Sequence, residues 1–165
     1  MIVVVADSSP FVVLINIGHE DLLRALFARV IIPPEVAAEL RSPRRPQAVR
    51  DFIAALPSWV EERTPSAIEN IAKLHAGEAA AISLARELNA DQVIIDESAG
   101  RKAAGERNLR VIGTVAVLEL AAERGLIDLG RAFDKVKQTD FWVSGQFLDA
   151  RLARFLAIRA DKRGE

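Results

Sequence analysis

Short apolar runs alternate with longer segments of helical composition along the chain. Residues 2–7, 30–32, 91–95 and 109–112 each contain a run of Val and Ile and predict strands. The first run predicts a strand buried on both faces, and residues 30–32 predict a second buried strand. Residues 59–62 predict a short edge strand. Because helical segments separate these strands, the pattern predicts an α/β fold with a central, mostly parallel sheet flanked by helices.

The residues after the first strand predict where the first helix begins. Ser9 precedes Pro10, as an N-cap precedes the first helical position, and Gly18 predicts the end of this helix. Since Ser8 and Ser9 both supply capping oxygens, Asp7 is not needed as a cap. Further helices are predicted over residues 21–27, from 33–34 through 40, over 47–56, 74–88, 100–106 and 114–123, and from 126 to the end.

Composition predicts a folded protein without a membrane partner. Half of the 165 residues are apolar and 27% are charged, which is unlike a disordered chain. No apolar stretch reaches the roughly 18 residues of a spanning helix, and the N-terminus lacks a signal-peptide pattern. We therefore expect a soluble protein in the cytoplasm.

Charge and residue usage exclude several kinds of chemistry. A formal net charge of −1 argues against non-specific coating of nucleic acid, although it permits a local basic patch. Cys is absent, which excludes disulfides and thiol nucleophiles, and neither His19 nor His75 has a second ligand at zinc spacing. The chain has no Gly-rich phosphate loop, so hydrolysis of nucleoside triphosphates is disfavoured.

Four acidic residues lie at the ends of predicted elements or in predicted helices. Asp7 and Asp96 close two buried strands, and Glu39 and Glu78 lie in helices. Crossovers in both directions from the first strand predict a switch point beside Asp7, where such sheets bind ligands. Because clustered carboxylates repel each other unless a cation neutralises them, we predict a Mg²⁺ or Mn²⁺ site in which these four residues are metal ligands and catalytic groups.

Structural roles compete for some of these acids. The helix dipole alone stabilises an acid in a first turn by roughly 0.3–1 kcal/mol, which applies to both Glu35 and Glu78. Glu39 lies further along its helix and is therefore preferred over Glu35 as a site residue. Neighbouring strand side chains point to opposite faces, so Asp96 is preferred for the site and Glu97 is left an outer role.

Polar and basic residues near the acids are candidate supporting groups. Ser8 and Thr114 can each hold a water at the metal or cap a helix. Arg101 can contact a substrate phosphate or pair with a carboxylate. Arg44 and Arg45 belong to a basic cluster that is either a solvated loop or a guide for an RNA backbone.

Five motifs occupy residues 4–10, 32–40, 77–82, 94–104 and 111–125. Taken together and in this order, they resemble PIN-domain proteins of the prokaryotic branch related to VapC-type toxins. The resemblance covers about residues 2–130. It implies a PIN-like three-layer fold as a single domain over residues 1–165, in which residues 131–165 are a helical C-terminal extension.

The resemblance also implies a function. It implies a metal-dependent ribonuclease that hydrolyses RNA phosphodiester bonds by a metal-activated water, as the toxin of a toxin–antitoxin pair, with an antitoxin protein as partner and a homodimer as the assembly. The four acids take the positions of the family's acidic site. Two departures stand out: Glu78 replaces the Asp of many VapC toxins, and Gly113-Thr114 replaces a further acid or Asn.

Two other functions compete with this one. A phosphatase of the haloacid-dehalogenase type needs an Asp two residues after its nucleophile, where this chain has Ser9. A catalytically weak PIN-like protein that binds nucleic acid or acts as a scaffold stays open, and metal binding separates it from the nuclease.

Overall fold

The computed structural model describes residues 2–164 and contains one five-stranded sheet. Its strands are β1 (Val4–Ala6), β2 (Val30–Ile32), β3 (Val60–Glu62), β4 (Gln92–Ile94) and β5 (Val111–Ile112). The strand order is β3-β2-β1-β4-β5, and each pair of neighbours is parallel. The predicted α/β fold and the edge position of the strand at residues 59–62 are confirmed.

Helices connect and follow these strands close to the predicted positions. They are α1 (Ser8–Asn16), α2 (Asp21–Phe27), α3 (Pro34–Leu40), α4 (Gln47–Ala54), α5 (Ala76–Glu87), α6 (Ser98–Glu106), α7 (Thr114–Glu123), α8 (Leu129–Lys137) and α9 (Gly145–Arg163). Gly18 follows α1 with a φ of 74°, the left-handed conformation that ends a helix without a Cβ penalty.

The order of the strands across the sheet changes direction after β3, and the switch point lies between the neighbouring strands β1 and β4. The chain passes from β1 through β2 to β3, and then returns to β4 on the other side of β1. Right-handed crossovers place α5 and α6 on the face opposite the earlier helices. Val5, Ile31 and Val93 pack against these two helices in one buried cluster. Helices therefore flank both faces, and Asp7 follows the strand at the predicted switch point.

Aromatic contacts fix the position of α1 in the first half of the chain. Phe11 and Phe52 have ring centroids 5.8 Å apart, and the rings of Phe52 and Trp59 are 6.0 Å apart. Each such pair contributes roughly 0.5–1.5 kcal/mol beyond its buried area. These contacts join α1 to α4 and to the residue before β3, so the first turn of α1 is held in place.

The chain divides into two compact units, Met1–Val117 and Leu118–Glu165, of which residues 2–117 and 118–164 are described. In the second unit, Asp128 caps α8 by accepting the Arg131 amide at 2.9 Å, and Ser144 caps α9 by accepting the Phe147 amide at 3.1 Å. Glu119 and Arg151 form an ion pair within this unit. The single-domain organisation with an extension at 131–165 stays a prediction.

No helix in residues 2–164 is both long enough and apolar enough to cross a bilayer.

Candidate active site

Asp7 lies where β1 passes into α1, and it is buried with 5% of its surface exposed. Its amide donates to the Ile94 carbonyl at 3.0 Å, which anchors it beside β4. The expectation that Ser9 is the N-cap of α1 is wrong: Asp7 occupies the N-cap position, its side chain makes no capping hydrogen bond, and the helix begins at Ser8.

The two serines after Asp7 bind carboxylates instead of capping the helix. Ser8 Oγ donates to Glu39 Oε2 at 2.7 Å, and Ser9 Oγ donates to Asp96 Oδ2 at 2.5 Å. A hydrogen bond to an ionised carboxylate is stronger than one between neutral groups, which explains why the hydroxyls turn away from the helix backbone. These bonds join α1 to α3 and to the end of β4.

Asp96 is held by donors from two elements. Thr114 donates its amide to Oδ1 at 2.7 Å and its Oγ1 hydroxyl to Oδ2 at 2.6 Å, while Ser9 supplies the third bond. The carboxylate thus lies at the N-terminus of α7, where the helix dipole favours negative charge. Asp96 is buried and its neighbour Glu97 is exposed.

Glu78 combines a structural position with a place near the other acids. It lies in the first turn of α5, and its Oε2 accepts the His75 amide at 3.3 Å. Burial raises the pKa of Glu78, and the negative charges of Glu97 and Glu39 raise it further, against the lowering effect of the His75 bond and charge. Both the helix-start explanation and the site explanation therefore apply to this residue.

Two glycines allow helices to approach the acids closely. A Cβ at Gly77 would overlap Glu39 Oε1, and a Cβ at Gly100 would lie 2.8 Å from Ile95 Cγ2 and 3.5 Å from Glu78 Cδ. Sequence reasoning did not identify this role, nor the bond from Ser9 to Asp96. A glycine next to an acid in the first turn of a helix was the available signal for Gly77.

Asp7 couples the four acids electrostatically. Burial raises the pKa of Asp7 to about 7, and the charges of Glu39, Glu78 and Asp96 add to this, opposed by the hydrogen bond from the Ser8 amide. We call Asp7, Glu39, Glu78 and Asp96 the acidic cluster. Of the four buried side-chain oxygens without a hydrogen-bond partner in residues 2–164, only Asp7 Oδ1 belongs to it. A buried oxygen of this kind calls for a proton or a cation.

The acidic cluster suits a hard cation in its donor chemistry but is not a preformed cage. All its ligand atoms are carboxylate oxygens, the type that Mg²⁺ and Mn²⁺ prefer, and Asp7 Oδ1 has no other partner. However, no three Asp, Glu or His side chains within the described part of the chain are grouped so that they could hold a metal ion. The hydroxyls of Ser8, Ser9 and Thr114 already donate hydrogen bonds to carboxylate oxygens of Glu39 and Asp96.

The basic residues of the candidate site differ in how firmly they are held. Arg45 Nε donates to the Glu39 carbonyl at 3.4 Å, which places it beside the acidic cluster, and its own carbonyl accepts Arg50 Nε at 3.2 Å. Arg44 is exposed. Arg101 Nη1 donates to the Ile95 carbonyl at 3.2 Å.

Comparison with known families gives a match over most of the chain. A family model described as DUF3368, PIN domain, matches residues 3–156, a range that contains the whole acidic cluster. No curated protein matches the chain significantly.

Proposed function

The chain belongs to the PIN-domain family, and from this premise we propose that it is a Mg²⁺- or Mn²⁺-dependent ribonuclease. PIN domains are generally nucleases and typically use divalent metal ions. The observation that carries the proposal is the buried Asp7 carboxylate, whose Oδ1 has no hydrogen-bond partner and which is surrounded by the other acids of the cluster. Such an arrangement is unfavourable in a purely structural role, because it buries negative charge without a cation.

The members of the acidic cluster divide into two pairs in this proposal. Asp7 and Asp96 would hold the ion, with Glu39 and Glu78 binding directly or through water. When bound, a divalent ion polarises the phosphate and lowers the pKa of water, which makes water an effective nucleophile. Thr114 and Ser9 keep Asp96 in one orientation, and Ser8 does the same for Glu39.

The substrate and biological role extend the proposal further. Arg44 and Arg45 lie in the loop after α3 and supply positive charge where an RNA backbone would approach the cluster. The similarity of the five motifs to VapC-type toxins supports a cytoplasmic toxin that forms a homodimer and binds an antitoxin protein. A small DNA-binding protein encoded by the adjacent gene, and co-purification of the two proteins, would test this role.

A second candidate function is a weakly catalytic PIN-like protein that binds nucleic acid or serves as a scaffold. The observation that favours it is the lack of a preformed three-ligand metal site in residues 2–164. Calorimetric titration with Mn²⁺ separates the two functions. A nuclease binds the ion in the wild type and loses this binding in Asp7→Asn, whereas the scaffold binds none in either.

The decisive experiment incubates purified protein and Mn²⁺ with labelled single-stranded and structured RNA. We expect cleavage that a chelator stops and that Asp7→Asn reduces at least about 100-fold, as for other groups that stabilise charge in a reaction. Asp91→Asn is the matched control. Asp91 precedes β4, whereas Asp96 follows it, so Asp91 lies at the amino-terminal end of the parallel strands, away from the acidic cluster. Equal cleavage by wild type and Asp7→Asn would mean that another nuclease in the preparation is responsible.

A further inference from the structure

Arg101 is a cation beside the acidic cluster that pairs with none of its members. It lies in the first turns of α6, and Nη1 donates to the carbonyl of Ile95, the residue directly before Asp96. Within residues 2–164, Arg101 forms no ion pair with any carboxylate. The backbone carbonyl therefore orients the guanidinium without neutralising its charge.

Gly113 makes room for this arrangement. A Cβ at Gly113 would lie 2.8 Å from Arg101 Nη1 and 3.0 Å from Asp96 Oδ1. Both charged groups thus converge on one glycine, just before the first residue of α7. Its backbone needs no left-handed conformation, so space is the reason for glycine at this position.

Several of the other arginines form ion pairs instead. Arg107 and Arg86 both bind Glu69, and Arg29 binds Glu61. Arg101 lies close to a group of acids and yet keeps most of its N–H donors available. A guanidinium held in this way matches a phosphate group, which accepts two parallel hydrogen bonds from its fork.

We propose that Arg101 binds a phosphate group of the nucleic-acid substrate next to Asp96. This inference rests on the proposed nuclease function, because it concerns the substrate of the same site. Four clustered acids repel a polyanion, and a fixed cation at their edge offsets that repulsion where the backbone must come closest. The Ile95 carbonyl fixes one N–H group, and the remaining N–H groups face the phosphate.

Binding measured without turnover tests the proposal. Fluorescence anisotropy would follow a labelled single-stranded oligoribonucleotide that binds to full-length Asp7→Asn, alone and combined with Arg101→Gln, over a series of salt concentrations. We expect Arg101→Gln to weaken binding about tenfold and to reduce the slope of log K against log salt by about 0.7, the value for one lost phosphate contact on a single strand. Arg101→Lys should keep the slope and lose part of the affinity.

Arg110→Gln is the matched control. It removes a positive charge from the residue before β5, at the amino-terminal end of the parallel strands, whereas Arg101 lies near their carboxyl-terminal end. Affinity and salt slope should therefore equal those of the Asp7→Asn parent. Gly113→Ala should displace the Arg101 guanidinium and lower the RNA affinity as Arg101→Gln does. The double variant should lose little more affinity, because both changes remove the same phosphate contact. Circular dichroism would check that each variant is folded.

The outcomes separate this proposal from the nuclease function. If wild type cleaves no RNA but Arg101→Gln still lowers the affinity and the salt slope, the ribonuclease proposal fails and the phosphate contact stands. If Arg101→Gln matches Arg110→Gln in affinity and slope, the phosphate contact is overturned. A loss of affinity with an unchanged salt slope also overturns it, since this indicates a structural role for the guanidinium.

Discussion

Asp7 and Glu69 are two acids of one chain in opposite electrostatic environments. Asp7 is buried without a cationic partner in the described part of the chain, and its pKa is raised to about 7, mainly by burial. Glu69 is exposed, binds Arg107 at 3.0 and 2.7 Å and Arg86 at 2.9 Å, and its pKa is lowered to about 2, mainly by the bond from Arg107. Two arginines therefore pair with the exposed Glu69, whereas no cation among the described residues pairs with the buried Asp7.

This difference separates a structural acid from a functional one. Glu69 belongs to the segment between β3 and α5, where its amide also donates to Ser83 Oγ at 3.0 Å. Ser66 in the same segment binds Glu87 through its amide and hydroxyl. These bonds fasten the segment to helices without placing a charge in the interior. Asp7 Oδ1, by contrast, is buried without a hydrogen-bond partner among residues 2–164, which is why we assign it a ligand.

The largest expected effect is the pH dependence of stability without metal. Because the folded pKa of Asp7 is raised from 3.8 to about 7, its protonated form stabilises the fold below pH 3.8, and this contribution is lost as the pH rises to 7. The free energy of unfolding should fall by up to roughly 4 kcal/mol over that window. Glu78, whose pKa is also raised, contributes with the same sign.

Urea denaturation with chelator present, at intervals from pH 4 to 8, measures this loss. Asp7→Asn cannot ionise at this position, so its profile should be flatter and it should be more stable than wild type at pH 8. Parallel profiles for the two proteins would contradict the electrostatic environment assigned to Asp7.

A smaller effect is the stabilisation of the protein by metal. An ion that binds only the folded state at a concentration of about 100 times its Kd should stabilise it by about 2.7 kcal/mol. Calorimetric melting at pH 8 should therefore show a higher Tm with Mn²⁺ in wild type and in Glu69→Gln, but little change in Asp7→Asn. An equal rise in all three proteins would mean that the ion binds elsewhere.

A third effect concerns the hydroxyl that orients Asp96. Thr114→Val keeps the shape of the side chain but removes the 2.6 Å bond to Oδ2. We expect a loss of about 1.5–3 kcal/mol in the free energy of unfolding, as for other hydrogen bonds to charged groups. Thr64→Val, on the exposed segment after β3, is the control and should change stability by less than about 0.5 kcal/mol. Equal losses in both variants would remove the special role of Thr114.

The smallest effect is expected on the other side of the comparison. The folded pKa of Glu69 is lowered from 4.5 to about 2, so its contribution is present above pH 4.5 and is lost as the pH falls towards 2. Because water and salt screen this exposed group, Glu69→Gln should lower the Tm only slightly at pH 7, and less in high salt. A salt-independent loss as large as that of Thr114→Val would mean that Glu69 acts through something other than its ion pairs.

Local sequence predicted the strands and helices, and it predicted that Asp7 and Asp96 lie at the carboxyl-terminal ends of neighbouring strands. Apolar runs predicted the strands, and helical composition together with Ser, Gly and Pro positions predicted the helices, because these signals depend on residues a few positions apart. The crossover rule then predicted the switch point beside Asp7. The same rules missed the roles of Gly77 and Gly113, since only the packed structure shows which side chain takes the place of a Cβ.

The tertiary structure alone decided how the oxygens of the site are partnered. Ser8 lies 31 positions from Glu39, and Ser9 lies 87 positions from Asp96, so no local signal distinguished these bonds from helix capping. Nor did spacing along the chain reveal that Asp7 would be left with an unpartnered oxygen while Asp96 received three donors. Burial and hydrogen-bond partners are set by elements that meet only when the sheet assembles, and these set the pKa of each carboxylate.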